Sequence, residues 1–371
     1  MNETCSNKTR KPNPSSKSGP LPRALSRSLL AVAATAILVA PAAADALTLY
    51  VSLGDGTSID RVESTGAVSL FATLPASSYP RGLAFDASGN LYAVDAGTDQ
   101  ISKITPAGVV SLFATLPPFS NAVGLAFDTN GVLYTTSENA NVDRILMITP
   151  GGAVTTFATP PINSVLDGLA FDGSGNLYAA QQGSDQIYKI TPGGAVSLFA
   201  TLPGGTNPDG LVFDAIGNLY VTGNPNKVYK VSPDGLTVSV FANLPSGSVP
   251  FGVAYDGSSG NFYVADGASG QISRVSPDGL TVSPFAIGGI SAPRFIAIEP
   301  AGVPKLIIIP GGPKSVKVLW QNTGTFTLQQ NSNLATTNWV TSAFAITNGF
   351  GTNFATITPL TGSLFLRLSK P

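Results

Sequence analysis

Short apolar runs alternate along this chain with clusters of Asp, Ser, Gly, Asn and Pro, and the alternation has a fixed period. Gly-Leu-Ala-Phe-Asp or a close variant, a turn and then Asn-Leu-Tyr or a close variant recur from Gly82, Gly124, Gly168, Gly210 and Gly252. A degenerate copy falls at Arg294, so the spacings are 42, 44, 42, 42 and 42 residues. Self-similarity of that length marks a repeat architecture. One copy runs from Gly82 to Phe85, through the turn Asp86-Ala87-Ser88-Gly89-Asn90, to Leu91 to Val94. It continues with Ile101 to Ile104, the turn Thr105-Pro106-Ala107-Gly108, and Val109 to Ala114. The runs are β-branched, aromatic or aliphatic and the clusters between them supply turn chemistry, so each copy predicts four short strands. No helical period appears. Runs as continuous as Val110-Ser111-Leu112-Phe113-Ala114 suit sheets covered on both faces. Four-stranded sheets packed face to face around an axis meet that requirement.

The ends of the repeat region give the number of sheets. Leu47 to Ser52 aligns with the second strand of the copy, Ser58 to Val62 with the third and Val68 to Thr73 with the fourth. The missing first strand reappears at the far end as Phe295-Ile296-Ala297-Ile298-Glu299. The expected fold is all-β: a six-bladed β-propeller over 47–310, closed by its N- and C-terminal strands, which removes exposed sheet edges. The apolar run Lys305 to Pro310 is surplus to it, an extra strand or an exit from the ring. After Pro310-Gly311-Gly312-Pro313 the period stops. Residues 311–371 then show strand-like segments at Ser315 to Trp320, Thr325 to Gln329, Ala343 to Thr347, Ala355 to Thr358 and Leu364 to Leu368, enough for a small β-sandwich-like domain.

Composition changes this picture at the N-terminus. Lys8, Arg10, Lys11, Lys17, Arg23 and Arg27 precede the apolar stretch Leu29 to Val39 and the small residues Ala42-Ala43-Ala44. Residues 1–46 therefore read as a cleaved signal peptide, and the protein as secreted, periplasmic or held at the cell surface. No other segment is long and apolar enough for a membrane span. The chain has one cysteine, Cys5, inside that leader, so the remainder has no thiol for a disulfide or a nucleophile. Net charge is -1 for the whole chain. Without residues 1–46 it is -5, from 14 Lys and Arg against 19 Asp and Glu. With no clustered basic surface, nucleic acid is not an expected partner. The chain contains no histidine, which excludes Ser-His-Asp triads, Cys-His pairs and histidine-ligated metals.

Leu83-Ala84-Phe85-Asp86 with Gly89-Asn90-Leu91-Tyr92 resembles the repeat of the six-bladed superfamily of NHL-repeat proteins, gluconolactonases and virginiamycin B lyases. Lys189-Ile190-Thr191-Pro192-Gly193-Gly194-Ala195-Val196 with Phe199 looks most like the streptogramin lyase repeat. That family's chemistry depends on a histidine base beside magnesium, and it cannot be carried to a chain without histidine. Gluconolactonase-like relatives imply instead a central Ca²⁺ or Mg²⁺ held by Glu, Asn and Asp at the starts of inner strands. The segment Gln329 to Trp339 with Leu364-Phe365-Leu366-Arg367-Leu368 resembles a C-terminal β module of exported bacterial proteins. Trp320 and Trp339 are expected in its core, with a sugar-stacking platform as the alternative.

The decisive positions are those preceding the repeat glycine: Arg81, Val123, Asp167, Asp209, Phe251, and Arg294 in the closing blade. Repetition carries them to one rim of the central channel. Asp167-Gly168 and Asp209-Gly210 match the metal-ligand pattern on adjacent blades, while Arg294 replaces the expected third carboxylate and Arg81 flanks it. Such a ring binds a cation weakly, binds a small zwitterion or anion, or closes on itself in salt bridges. Asp86, Asp128, Asp172, Asp214 and Asp256 recur at the head of every turn, where a side-chain oxygen caps backbone N–H groups, and repetition argues against catalysis by them. The loops between Pro117 and Val123, Pro160 and Leu166, and Pro203 and Pro208 vary most, which suits recognition.

Two functions follow as expectations. The favoured one is an exported, non-enzymatic, cofactor-free propeller, monomeric, that binds a small molecule, glycan or envelope protein through Arg81, Asp167, Asp209 and Arg294 and the loops. The alternative is a Ca²⁺- or Mg²⁺-dependent lactonase or esterase in which Asp167, Asp209 and Asn121 hold the metal.

Overall fold

The computed structural model describes residues 47–300, apart from 55, 140–141 and 162–164, and beyond 300 the strands alone. The expected signal peptide 1–46 and Trp339 lie outside the described residues.

Six four-stranded antiparallel sheets form the blades. The first is built from both ends of the ring, in the order Pro293–Ile298, Thr48–Leu53, Ser58–Glu63 and Val68–Thr73. The second runs Pro80–Phe85, Leu91–Asp95, Gln100–Ile104 and Val110–Thr115. The next four have Leu125–Phe127, Leu166–Phe171, Leu211–Phe213 and Pro250–Tyr255 as innermost strands. Each innermost strand neighbours the next, and the last neighbours Pro293–Ile298, so the ring closes. One detail of the sequence alignment is corrected by register. Tyr92 pairs with Ala84 in the second blade and Tyr50 with Ala297 in the first, which puts Phe295 in the place of the repeat glycine and Arg294 one residue before it.

The repeat glycine is dictated by how closely the innermost strands approach. A Cβ on Gly82, Gly124 or Gly168 would run into the carbonyl oxygen of Val123, Asp167 or Asp209 on the next blade, and one on Gly210 would lie 2.6 Å from Phe251 O. Gly82 N donates to Val123 O at 2.9 Å and Gly168 N to Asp209 O at 2.9 Å, so these contacts are hydrogen bonds between blades. Only glycine permits them.

The core is a ring of six apolar layers, one between each pair of neighbouring blades. The repeated aromatics staple these layers. Tyr92 of the second blade meets Phe113 of its own outer strand and Phe127 of the third blade edge-on, at 4.8 and 5.0 Å. Tyr50, Tyr134 and Tyr178 make the same pair of contacts in their blades. Edge-to-face geometry is favoured by the ring quadrupole, and each such pair adds about 1 kcal/mol beyond area burial. The second strand of five blades is buried on both faces along its whole length. The fourth is not. Leu112 is 60% exposed, because an outer strand covers the blade on one side only, and the continuous run Val110 to Ala114 concealed that.

Beyond residue 300, Ile307–Gly312 pairs with Ser315–Gln321, and a four-stranded sheet continues through Thr352–Ile357 to Ile346–Gly349. The surplus apolar run therefore joins a strand of the tail. A three-stranded sheet orders Val340–Thr341, Thr327–Asn331 and Phe365–Ser369. Among the described residues no helix is long and apolar enough to cross a membrane.

Candidate functional site at the channel mouth

In the second to sixth blades the first strand runs away from one rim, the Asp-headed turn lies at the opposite rim, and the second strand returns. The residues before the glycine and those after the second strand thus share the first rim, together with the loops that enter each blade. Those loops are pinned from below. The Asp99 carboxylate accepts from Phe119 N and Ser120 N at 2.7 and 2.8 Å, and Asp185 accepts from Gly205 N and Asn207 N at 2.8 and 2.7 Å. Tyr79, Asn121, Val165, Asn207 and Ala292, each two residues before a ring position, all take left-handed φ of 43 to 49°. Because five blades share it, this strain belongs to the architecture.

Around the mouth, Arg294 and Arg81 occupy the first and second blades and Asp167 and Asp209 the fourth and fifth. Val123 lies between them on one side and Phe251 on the other. The aspartates are 5% and 8% exposed. Among the described residues the one donor bonded to the Asp209 side chain is Gln182 Nε2, at 3.5 Å, although a carboxylate has about four acceptor positions. Burial pushes Asp209 up to about 7, with Arg294 and Arg81 pulling it down. Asp167 is raised well above the carboxylate range by burial first, then by the charges of Asp209 and Glu138, against Arg81 and a hydrogen bond from Gln182. Arg294 is lowered by burial and by Arg81. Among the described residues the salt-bridged closure, one of the three alternatives, is not formed. The ion pairs among the described residues, Arg61 with Glu63 and Lys103 with Asp86, involve none of the four.

Two residues unmarked in the sequence belong here. Glu138 lies near the end of the second strand of the third blade, Leu133–Asn139, and burial raises its carboxyl. Gln182 holds the corresponding place in the fourth blade. Their signal was available in the alignment: that position reads Gly54, Ala96, Glu138, Gln182, Asn224 and Gly267 around the ring, polar beside the acids and glycine beside Arg294 and Phe251. The glycines have a steric reason. A Cβ on Gly54 would lie 3.0 Å from Arg294 Nε, and one on Gly267 would enter the Phe251 ring. The space is used for stacking, with the Arg294 guanidinium 4.1 Å from the Phe251 centroid. Asn121 is not gathered with the aspartates by any hydrogen bond; its amide bonds Glu138 Oε2 at 3.4 Å.

The turn aspartates behave as expected. Asp86 accepts from Ser88 N, Asn90 N and Asn90 Nδ2 at 2.9, 2.8 and 2.7 Å, and Asp128, Asp172, Asp214 and Asp256 cap their turns in the same way. Toward that opposite rim lies a cavity of about 350 Å³, lined by apolar and aromatic residues such as Phe171, Phe213, Tyr255 and Ile298 and by no charged side chain among the described residues.

No family profile and no curated protein matches this chain. Solved structures do. The chain is similar to virginiamycin B lyase from Staphylococcus aureus at 19% identity and a TM-score of 0.53, over 73% of this chain and 87% of that one. It is similar to a chain of the nidogen/laminin complex at 20% identity and a TM-score of 0.60, over 69% and 99%. A gluconolactonase from Xanthomonas campestris aligns at 17% identity with a TM-score of 0.47, over 59% and 86%, too slight a likeness to argue from. These are likenesses of fold. The resemblance to six-bladed propellers holds at that level, and the neighbours differ in what they do.

Proposed function

We propose that the protein is an exported binding propeller that recognises its ligand at the charged mouth and the loops above it. The observation that carries this reading is the Asp167 and Asp209 pair: two carboxylates more than nine-tenths buried, with Gln182 as the one donor hydrogen-bonded to them among the described residues. Burying an acid without partners costs stability, and folds retain such groups where a ligand uses them. Histidine-based chemistry is closed to this chain, and the variable loops frame the mouth. The test is thermal melting of the protein against a panel of small polar molecules and glycans, repeated on Asp167→Ala/Asp209→Ala. A saturable rise in Tm lost in the variant supports the reading; a rise that persists in the variant places recognition elsewhere.

A second reading, the metal-dependent lactonase, draws on the same adjacent carboxylates. Among the described residues no three acidic, histidine or cysteine side chains form a metal-holding group. A hard cation there would take Asp167, Asp209 and amide oxygens, below the usual six to eight ligands, and under repulsion from two arginines. A Tm raised by millimolar Ca²⁺ or Mg²⁺ and reversed by EDTA, in the parent and not in the variant, would favour it.

A further inference from the structure

The charges at the mouth are sorted by side. Arg294 and Arg81 sit on neighbouring blades, the first depressed by the charge of the second, and neither has an acid within ion-pair distance among the described residues. Two adjacent guanidinium groups without a carboxylate between them form a receptor for an anion. Across the ring, Glu138, Asp167 and Asp209 stand on three successive blades, and the charges of Asp209 and Glu138 add to burial in raising the Asp167 carboxyl, so that side favours a cation. The Arg294 side is also preformed: Phe251 holds the guanidinium face-on at 4.1 Å, in space kept open by Gly54 and Gly267. A ring that only balanced its own charge would interleave the signs in ion pairs.

Given that the mouth is a ligand site, the geometry points to a small zwitterion as its ligand, the anionic group held by Arg81 and Arg294 and the cationic group by Asp167, Asp209 and Glu138. A purely anionic molecule would leave the buried acids unpartnered, and a purely cationic one the arginines. Phe251 and Val123 hold the two remaining ring positions without charge, which suits an uncharged spacer between the ligand's two charged groups.

The test compares β-alanine and γ-aminobutyrate with butyrate and butylamine at equal ionic strength, reading Tm of the purified protein, of Arg81→Gln/Arg294→Gln and of Asp167→Asn/Asp209→Asn, each against its own ligand-free value. One zwitterion should raise the parent Tm saturably by about 5 °C, butyrate and butylamine by less than a third of that, and both double variants should lose the rise. Equal rises with butyrate, kept in Asp167→Asn/Asp209→Asn, would overturn the zwitterion while leaving the mouth a ligand site. A rise that persists in Arg81→Gln/Arg294→Gln would be a general solute effect and would overturn it as well. No rise with any of the four probes overturns it too, and the broader panel then decides separately whether the mouth binds anything.

Discussion

Asp172 and Asp167 lie at opposite ends of one innermost strand, five residues apart in sequence, and their surroundings are inverted. Asp172 accepts Ser174 N and Asn176 N at 2.9 Å each and Asn176 Nδ2 at 2.8 Å; these bonds to the charged form outweigh partial burial and lower its carboxyl. Asp167 is buried and scarcely bonded, and its carboxyl is raised. The turn aspartate recurs in five blades and stabilises each; the mouth aspartates occur in two and burden the fold. A residue that every copy carries serves the copy, while one that departs from the repeat and costs stability serves something outside it.

The comparison can be broken most severely through the glycines at the two ends. Gly168→Ala drives a Cβ into the Asp209 carbonyl, and is expected to cost more than about 4 kcal/mol or to prevent folding, read by urea denaturation. Next comes Asp209→Asn. With its folded pKa raised to about 7, Asp209 keeps its proton in the folded state across the window in which the unfolded chain has lost it. Its contribution to stability therefore falls as pH rises from about 4 to 7. Asp209→Asn removes a penalty on the order of 4 kcal/mol at pH 8 and leaves stability at pH 4 nearly unchanged. An Asn variant less stable than the parent at pH 8 would mean that the carboxylate is paired.

Asp172→Ala should have the opposite sign and a smaller size, a loss of about 2 kcal/mol at pH 7 for its charge-assisted bonds. Its folded pKa lies below the unfolded one, so that loss shrinks as the pH drops through the carboxylate range. A pH-independent loss would assign the residue's value to packing. The smallest effect is expected from Gly173→Ala in the same turn, where a Cβ meets nothing within 4 Å: within about 0.5 kcal/mol of the parent. A large effect there would break the contrast between a crowded mouth and an open turn.

Much of the fold was legible because its signals are local. Tyr92, Phe113 and Phe127 recur with the period, and so do the contacts they make. The turn aspartates were legible for the same reason, since a cap and its N–H groups lie within four residues. The mouth was legible in part. Arg81, Asp167, Asp209 and Arg294 stood out as departures from one repeat position, whereas Glu138 and Gln182 stand at a second position whose neighbour is set by the return of the next strand. The salt-bridged closure, one of the alternatives open from sequence, is absent among the described residues, because which side chains meet across a ring is not written in the repeat.

The period, the turn chemistry and the mismatched ends were enough, by themselves, to determine six blades, their closure and the capping role of Asp86 and its copies, because each rests on residues adjacent in the chain or on exact repetition of them. Tertiary structure alone decided that Gly54 and Gly267 clear room for Arg294 on Phe251, and that the aspartates are buried with scarcely a donor. Those facts depend on distances between side chains contributed one per blade, some forty residues apart, and on how much water the closed ring excludes. A linear pattern encodes neither.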